Sequence, residues 1–186
     1  MLPLTLTLQD WPVFVLGRGP AAIRRLGLVR EAGATDIRVF SPGADAQTAE
    51  AAGALLMDHW PGDDEWRQAR LAFIAGEDAA QSRMLAEAAR AARVLVNVED
   101  VPALCDFYVP SMVRRGDLLL TVATGGRSPG LCRAIRRDLE GRYGPEWADR
   151  LAEVSALRQG WRAAGHDTKT VAAKTTQYLL EKGWLQ

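Results

Sequence analysis

Ten residues, Val13 to Ala22, constrain this chain more than any others. Val13, Phe14, Val15 and Leu16 form an apolar run of strand length, which meets Gly17-Arg18-Gly19 before Pro20 opens a segment of helix formers. Strand, glycine turn, helix start is the order a dinucleotide fold requires. Gly17 can make the tight turn, Gly19 has no Cβ to hold a pyrophosphate off the backbone, and Ala22 lets the helix pack close to the strand. A pyrophosphate would rest on the unpaired N–H groups and positive dipole end of that helix. Pro20 suits the first helical position, whose N–H has no intrahelical partner. The pattern G-x-G-x-x-A is short, and its plain alternative is an ordinary strand-to-helix turn. It also lacks its usual acid, because the second strand, Ile37–Phe40, runs into Ser41-Pro42-Gly43 and Asp36 precedes the strand at the wrong end. A ribose would then be held by Ser41 or by backbone groups.

The segments that follow alternate. Ala21–Glu31 reads as a helix with Ile23, Leu26 and Leu28 on it and Gly33 as its stop. Asp45–Ala52 reads as a short helix, Ala54–Met57 as a third strand, and Pro61–Asp64 as a loop. Leu71–Ala75 is a fourth strand, Ala79–Ala92 an alanine-rich helix that Gly76-Glu77-Asp78 could cap, and Val94–Asn97 a fifth strand. Such alternation implies an α/β fold, a parallel sheet with helices on both faces. After Pro102 the rhythm changes. Phe107–Pro110 and Asp117–Thr124 are strand-like without alternation, and helices follow at Pro129–Tyr143, Pro145–Ala164 and Thr168–Lys182. Trp147, Leu151, Val154, Leu157, Val171, Tyr178 and Leu179 are their packing residues. The expected division is a dinucleotide-binding domain over 1–104, a strand-containing region over 105–144, and a helical part over 145–186.

Composition excludes several function classes. Lys plus Arg equals Asp plus Glu, at 23 each, so no global charge directs the chain to nucleic acid or to a membrane. Met1–Leu8 is apolar but lacks a positive leading region, and reads as a strand or lead-in, not a signal peptide. No run approaches the length of a membrane span, and a soluble, cytoplasmic protein is expected. Cys105 and Cys132 have neither disulfide-framework nor zinc spacing and read as buried free thiols. The two histidines, His59 and His166, lie in different segments without ligand spacing, so no permanent metal site is expected.

Further pieces give the chain a family. The N-terminal L-P-L, the G-x-G-x-x-A turn, the run Leu95 to Pro102 (L-V-N-V-E-D-V-P), the run Cys105 to Ser111 (C-D-F-Y-V-P-S), Arg115-Gly116-Asp117-Leu118 and the run Thr124 to Pro129 (T-G-G-R-S-P) occur in this order. Together they resemble the siroheme-synthase N-terminal module over about Leu2 to Arg142. That family contains the precorrin-2 dehydrogenases, some also credited with sirohydrochlorin ferrochelatase activity. The resemblance implies a Rossmann domain, a dimerisation region built on the later strands, and a helical C-terminal part. It also implies NAD-dependent oxidation of precorrin-2 to sirohydrochlorin, and a homodimer. Carried over by position, it assigns NAD contacts to Gly17, Arg18, Gly19, Pro20 and Ala21, to Ser41, Pro42 and Gly43, and to Ala75, Gly76 and Glu77. Asp100 matches the catalytic aspartate. Asn97, Ser111, Gly125, Gly126, Arg127 and Ser128 fall to the substrate, and Ser128 matches a serine that some members phosphorylate. Arg18 departs from a glycine, Ala21 from a valine, and Gly76 from a small-residue-and-threonine strand exit. No methyltransferase module accompanies the match, so that activity is not expected.

The residue chemistry is compatible with that assignment. Precorrin-2 is a polycarboxylate, and Arg114, Arg115, Arg127, Arg133, Arg136 and Arg137 gather near the Gly-Gly-Arg-Ser loop, where guanidinium groups pair carboxylates. Their plain alternative is a solvated helix face. Oxidation by NAD removes a hydride and a proton, so a base is useful. Asp100 follows the fifth strand, at the carboxyl edge where such sheets bind ligands; otherwise it is a turn residue before Pro102. It could also contact Fe²⁺ transiently during chelation. Glu99 and Asp106 flank it as capping or acid–base partners. Ser128 has no neighbouring histidine, which disfavours a nucleophile. Two other functions stay open. One is a non-catalytic tetrapyrrole- or dinucleotide-binding protein on the same fold. The other is an unrelated NAD(P)-dependent reductase in which Arg18 or Arg38 takes a 2′-phosphate.

Overall fold

The computed structural model describes residues 2–184, and the chain divides into two compact units, one ending at Val109 and the other beginning at Pro110. In the first unit β1 (Val13–Gly17) lies at the centre of a parallel sheet. Around it stand β2 (Ile37–Phe40), β3 (Leu56–Met57), β4 (Leu71–Ala75) and β5 (Leu95–Val98), in the order β3-β2-β1-β4-β5. Val13 pairs with Ile37 on one side and Leu71 on the other, and Gly17 with Ala75. The chain reverses its direction of winding between β1 and β4, which makes the carboxyl ends of these two strands the place for a ligand.

All five residues of β1 are buried, and its side chains divide by parity. Phe14 and Leu16 join a layer with Phe40, Trp66, Ile74, Leu85 and Val96. Val13 and Val15 join the opposite layer with Ala22, Leu26, Val29 and Phe73. The first layer is covered by α3 (Asp63–Gln68) and α4 (Ala79–Ala91), the second by α1 (Gly19–Glu31) and α2 (Ala46–Ala52). A strand buried on both faces gains about 2 kcal/mol per large side chain, which is why an unbroken apolar run identified it. The expected α/β architecture is borne out. Ala22 is buried against the sheet and Gly33 ends α1 with φ +82°, both as expected. Pro20 stands one place later than expected, because the helix already begins at Gly19.

Three local expectations need correction. The stretch expected as a loop over Pro61–Asp64 leads straight into α3 at Asp63. The Glu65 carboxylate accepts the Gly62 N–H at 2.9 Å, three acids occupy the first turn, and Trp66 is buried. β3 is shorter than Ala54–Met57 because Gly53–Leu55 form a single 3-10 turn. Phe107–Pro110 is not a strand. Asn97 Nδ2 donates to the Phe107 carbonyl at 3.0 Å, and the Phe107 ring packs edge-on to Phe73 at 5.4 Å, so the segment is a strap across the sheet. Of the two readings of Met1–Leu8, a lead-in is what residues 2–8 form, with Leu8 buried and Met1 outside the described residues.

The second unit starts with a hairpin. β6 (Ser111–Arg115) pairs antiparallel with β7 (Leu118–Val122) across the two-residue turn Gly116-Asp117, with Gly116 at φ +57°. Three helices follow: α5 (Pro129–Arg142), α6 (Trp147–Ala163) and α7 (Thr168–Glu181). Val113, Trp147 and Val171 are its buried apolar residues. Arg150 is sandwiched between Trp147 and Trp184, at 5.0 and 5.1 Å from the ring centres.

Two glycines join the exits of β1 and β4. A Cβ on Gly17 would stand 1.9 Å from the Ala75 carbonyl oxygen, and one on Gly76 would stand 2.0 Å from the Arg18 carbonyl oxygen. Both also have positive φ, +118° and +78°. Gly76→Ala is therefore expected to destabilise the chain by about 3 kcal/mol or more, read as a lowered urea midpoint. An unchanged midpoint would show that this backbone contact is not needed.

Candidate functional site

The glycine turn between β1 and α1 is open where a ligand would need it to be. Gly19 has φ +70°, and a Cβ placed there would meet nothing within 4 Å. Pro20 has no N–H, and the Gly19 N–H is already engaged, donating to Thr48 Oγ1 at 2.8 Å and Asp45 Oδ2 at 3.1 Å. A pyrophosphate would thus be held by Ala21 and its successor in the first turn, whose amides lack i−4 carbonyls inside the helix. The residues fit that group through the open approach at Gly19 and the first-turn amides after Pro20, while the Gly19 N–H itself is taken by Thr48 and Asp45.

Arg18, which departs from the glycine that the resemblance implies, is turned to a structural use. Its Nε donates to Glu77 Oε1 at 2.9 Å, and the Glu77 side chain is 8% exposed. Ala75 is buried at the end of β4, while Gly76 is exposed on the β4 exit. Ser41 is wholly buried and its hydroxyl has no hydrogen-bond partner. Pro42 is half-buried and Gly43 exposed, with the Gly43 N–H donating to Asp58 Oδ1 at 2.8 Å.

Beside the turn is a cleft of about 430 Å³, bordered by Ala21, Arg24, Gly76, Glu77, Glu99 and Asp100 among others. The backbone thus brings the β1, β4 and β5 exits to one place. Three carboxylates meet there in unequal states. Glu77 is paired with Arg18, and Glu99 with Arg24 at 3.2 Å and Arg25 at 3.7 Å. Asp100 is exposed and has no ion-pair partner among the described residues. It sits at φ +59°, a conformation Asp tolerates better than most residues. Glu99, left unranked from the sequence, is an anchor for α1. Asp106 serves the strap instead, accepting from Arg90 Nε at 3.0 Å and the Val96 N–H at 3.0 Å.

Asn97, assigned to substrate by the resemblance, is 6% exposed and holds the strap through Nδ2. In the second unit Ser111 begins β6. Gly125, Gly126 and Arg127 are exposed in the loop before α5, with both glycines at positive φ. Ser128 caps α5, its Oγ accepting the Leu131 N–H at 3.2 Å. The arginines of this unit separate by use. Arg115 donates to the Tyr143 carbonyl, Arg136 pairs with Glu140, and Arg114, Arg127, Arg133 and Arg137 stand exposed. Cys105 and Cys132 are free and half-buried rather than buried. Among the described residues no three His, Cys, Asp or Glu side chains stand close enough to hold a metal.

The sequence reading missed Asp45 and Thr48. Asp45 caps α2, with Oδ1 accepting the Thr48 N–H at 2.9 Å and Oδ2 accepting the Thr48 hydroxyl at 2.7 Å. The Thr48 hydroxyl, the Thr48 N–H and, to a smaller degree, the Gly19 N–H hold the Asp45 carboxyl below the usual range. The only available signal was the helix-start pattern at Asp45, which does not point to a contact 26 residues away.

A family model described as "Putative NAD(P)-binding" matches residues 4–111. Siroheme synthase of Methylococcus capsulatus is 38% identical over 142 residues, covering 75% of this chain and 30% of that protein. Siroheme synthase of Nitrosococcus oceani is 34% identical over 158 residues, covering 83% of this chain and 33% of that protein. The chain therefore spans about a third of the length of these curated relatives. Among solved structures, a chain named "SirC, precorrin-2 dehydrogenase" superposes with a TM-score of 0.78 at 21% identity. The match covers 100% of this chain and 93% of that one, and it bears out the fold.

Restoring glycine at position 18 is expected to weaken this chain. Arg18→Gly strands a nearly buried Glu77 carboxylate and should cost about 1–2 kcal/mol in urea unfolding. Adding Glu77→Gln should recover more than half of the loss. A neutral Arg18→Gly would show that the pair contributes nothing.

Proposed function

We propose, because the chain belongs to the NAD(P)-binding family, a reaction in which a nicotinamide accepts a hydride: the oxidation of precorrin-2 to sirohydrochlorin in siroheme biosynthesis. The substrate comes from the siroheme-synthase resemblance and from the names of the relatives. The observation that carries the reading is Asp100, the one carboxylate of the cleft without an ion pair among the described residues.

Bound NAD⁺ supplies the hydride acceptor. The chain's own residues do the rest. The open Gly19 approach admits the dinucleotide, and Gly17 and Gly76 hold the two strand exits in register. Asp100 takes the proton that leaves precorrin-2 as the hydride departs, so that two electrons and two hydrogens are accounted for. An exposed carboxylate in a left-handed turn is displayed toward solvent, where a departing proton can reach it. The second unit, taken by itself, carries an exposed Gly125-Gly126-Arg127 loop before the Ser128 cap of α5. Asn97, being occupied with the strap, is left out of this reading.

Fe²⁺ insertion into sirohydrochlorin, a second activity implied by the resemblance, has Asp100 as its contact in the same reading. The chain is further proposed to work in the cytoplasm as a homodimer through its second unit. No helix among the described residues is long and apolar enough to cross a membrane. None of the residues of α5 is buried, and Leu131 and Ile135 are exposed, an apolar surface that suits a second copy. Sedimentation would report twice the monomer mass.

An anaerobic absorbance assay with precorrin-2 and NAD⁺ tests the reaction. Asp100→Asn keeps a residue that tolerates the left-handed turn but cannot accept the proton. It is expected to lower kcat by about 100-fold or more while leaving NADH affinity unchanged. No conversion by the natural chain, with NADH still bound, would favour the non-catalytic binding protein instead.

A further inference from the structure

The fingerprint's missing acid is present at another place in the fold. We propose that Asp45 selects the cofactor: from the start of α2 it presents to the glycine turn the carboxylate that β2 lacks, accepting the hydroxyls of an unphosphorylated adenosine ribose and excluding a 2′-phosphate. This rests on the family's dinucleotide site and is independent of precorrin-2 as substrate.

Two observations from different elements support it. The first is placement. β2 ends at Phe40, and the Ser41 hydroxyl after it is buried and unpartnered. Four residues on, Asp45 returns to the β1–α1 turn and brings Oδ2 to 3.1 Å from the Gly19 N–H. The carboxylate is fixed by Thr48 through both oxygens. Oδ2 accepts from two donors and Oδ1 from one, so Oδ1 keeps a free acceptor direction. A ribose diol can donate to it. A phosphate dianion cannot, and meets a fixed like charge.

The second observation concerns cations. An NADP site needs an arginine or lysine free to take the 2′-phosphate. Arg18 is committed to Glu77 at 2.9 Å. Arg38 donates to Gln68 at 2.9 Å and lies 3.9 Å from Asp36, with its guanidinium over the Phe14 ring. Both arginines of the reductase alternative already have side-chain partners, Arg18 in an ion pair and Arg38 on an amide.

Direct titration of NADH and NADPH, followed by nicotinamide fluorescence, tests the assignment without any tetrapyrrole. The natural chain is expected to bind NADH roughly tenfold or more tighter than NADPH. Asp45→Asn and Asp45→Ser both keep a residue able to cap α2. Each should weaken NADH binding and bring the two affinities within about threefold of each other, with circular dichroism unchanged. An unaltered ratio in two folded variants, a preference for NADPH in the natural chain, or no binding of either dinucleotide would each overturn the proposal. NADH selectivity without precorrin-2 oxidation would overturn only the reaction proposed above.

Discussion

The first unit depends on a backbone contact that leaves no room for side chains. Where β1 and β4 end, the carbonyl oxygens of Ala75 and Arg18 occupy the positions that Cβ atoms of Gly17 and Gly76 would take. Parallel strands must emerge side by side here, because the winding of the sheet reverses between them. Close approach of the two exits sets where α1 begins and where the β4 exit turns into Glu77. The ion pair between Arg18 and Glu77 then spans the same gap with side chains. Both glycine positions are structural before they are functional, whereas Gly19, with empty space beyond it, is the one left open to a ligand.

From that contact the charges of the cleft follow. Arg18 neutralises Glu77, Arg24 and Arg25 neutralise Glu99, and both pairs anchor neighbouring elements. What remains is a lone exposed Asp100 at one lip and a carboxylate at Asp45 fixed on the glycine turn. A site whose two remaining carboxylates lack ion pairs, and whose nearby Arg18 has one, among the described residues, is suited to taking a proton and to receiving a neutral ribose. It is poorly suited to a second phosphate.

Much of this was legible in the sequence, for physical reasons. β2 and β4 have the bounds the sequence suggested, since short apolar runs ended by Ser-Pro-Gly or Gly can only be buried strands in such an alternation. The turn and the place of Asp100 were legible because strand, glycine and helix occur in fixed local order. What failed was decided by distant contacts. Phe107–Pro110 has strand-forming residues, yet the Asn97 amide takes the Phe107 carbonyl and makes it a strap. α3 is started by Glu65 capping a glycine, a signal hidden in a Pro-Gly-Asp stretch. Asp45 read only as the first residue of a short helix because its contact with Gly19 crosses from α2 to α1. Arg18 read as a defect in the glycine loop because its partner lies 59 residues away.

The chemistry of the cleft depends on a dinucleotide binding at the glycine turn. Amide hydrogen exchange with and without NADH measures that most directly. Protection is expected over residues 17–22, 41–45 and 75–77, with no comparable change over residues 168–181. Protection that spares the glycine turn, or that falls chiefly in the second unit, would contradict the account.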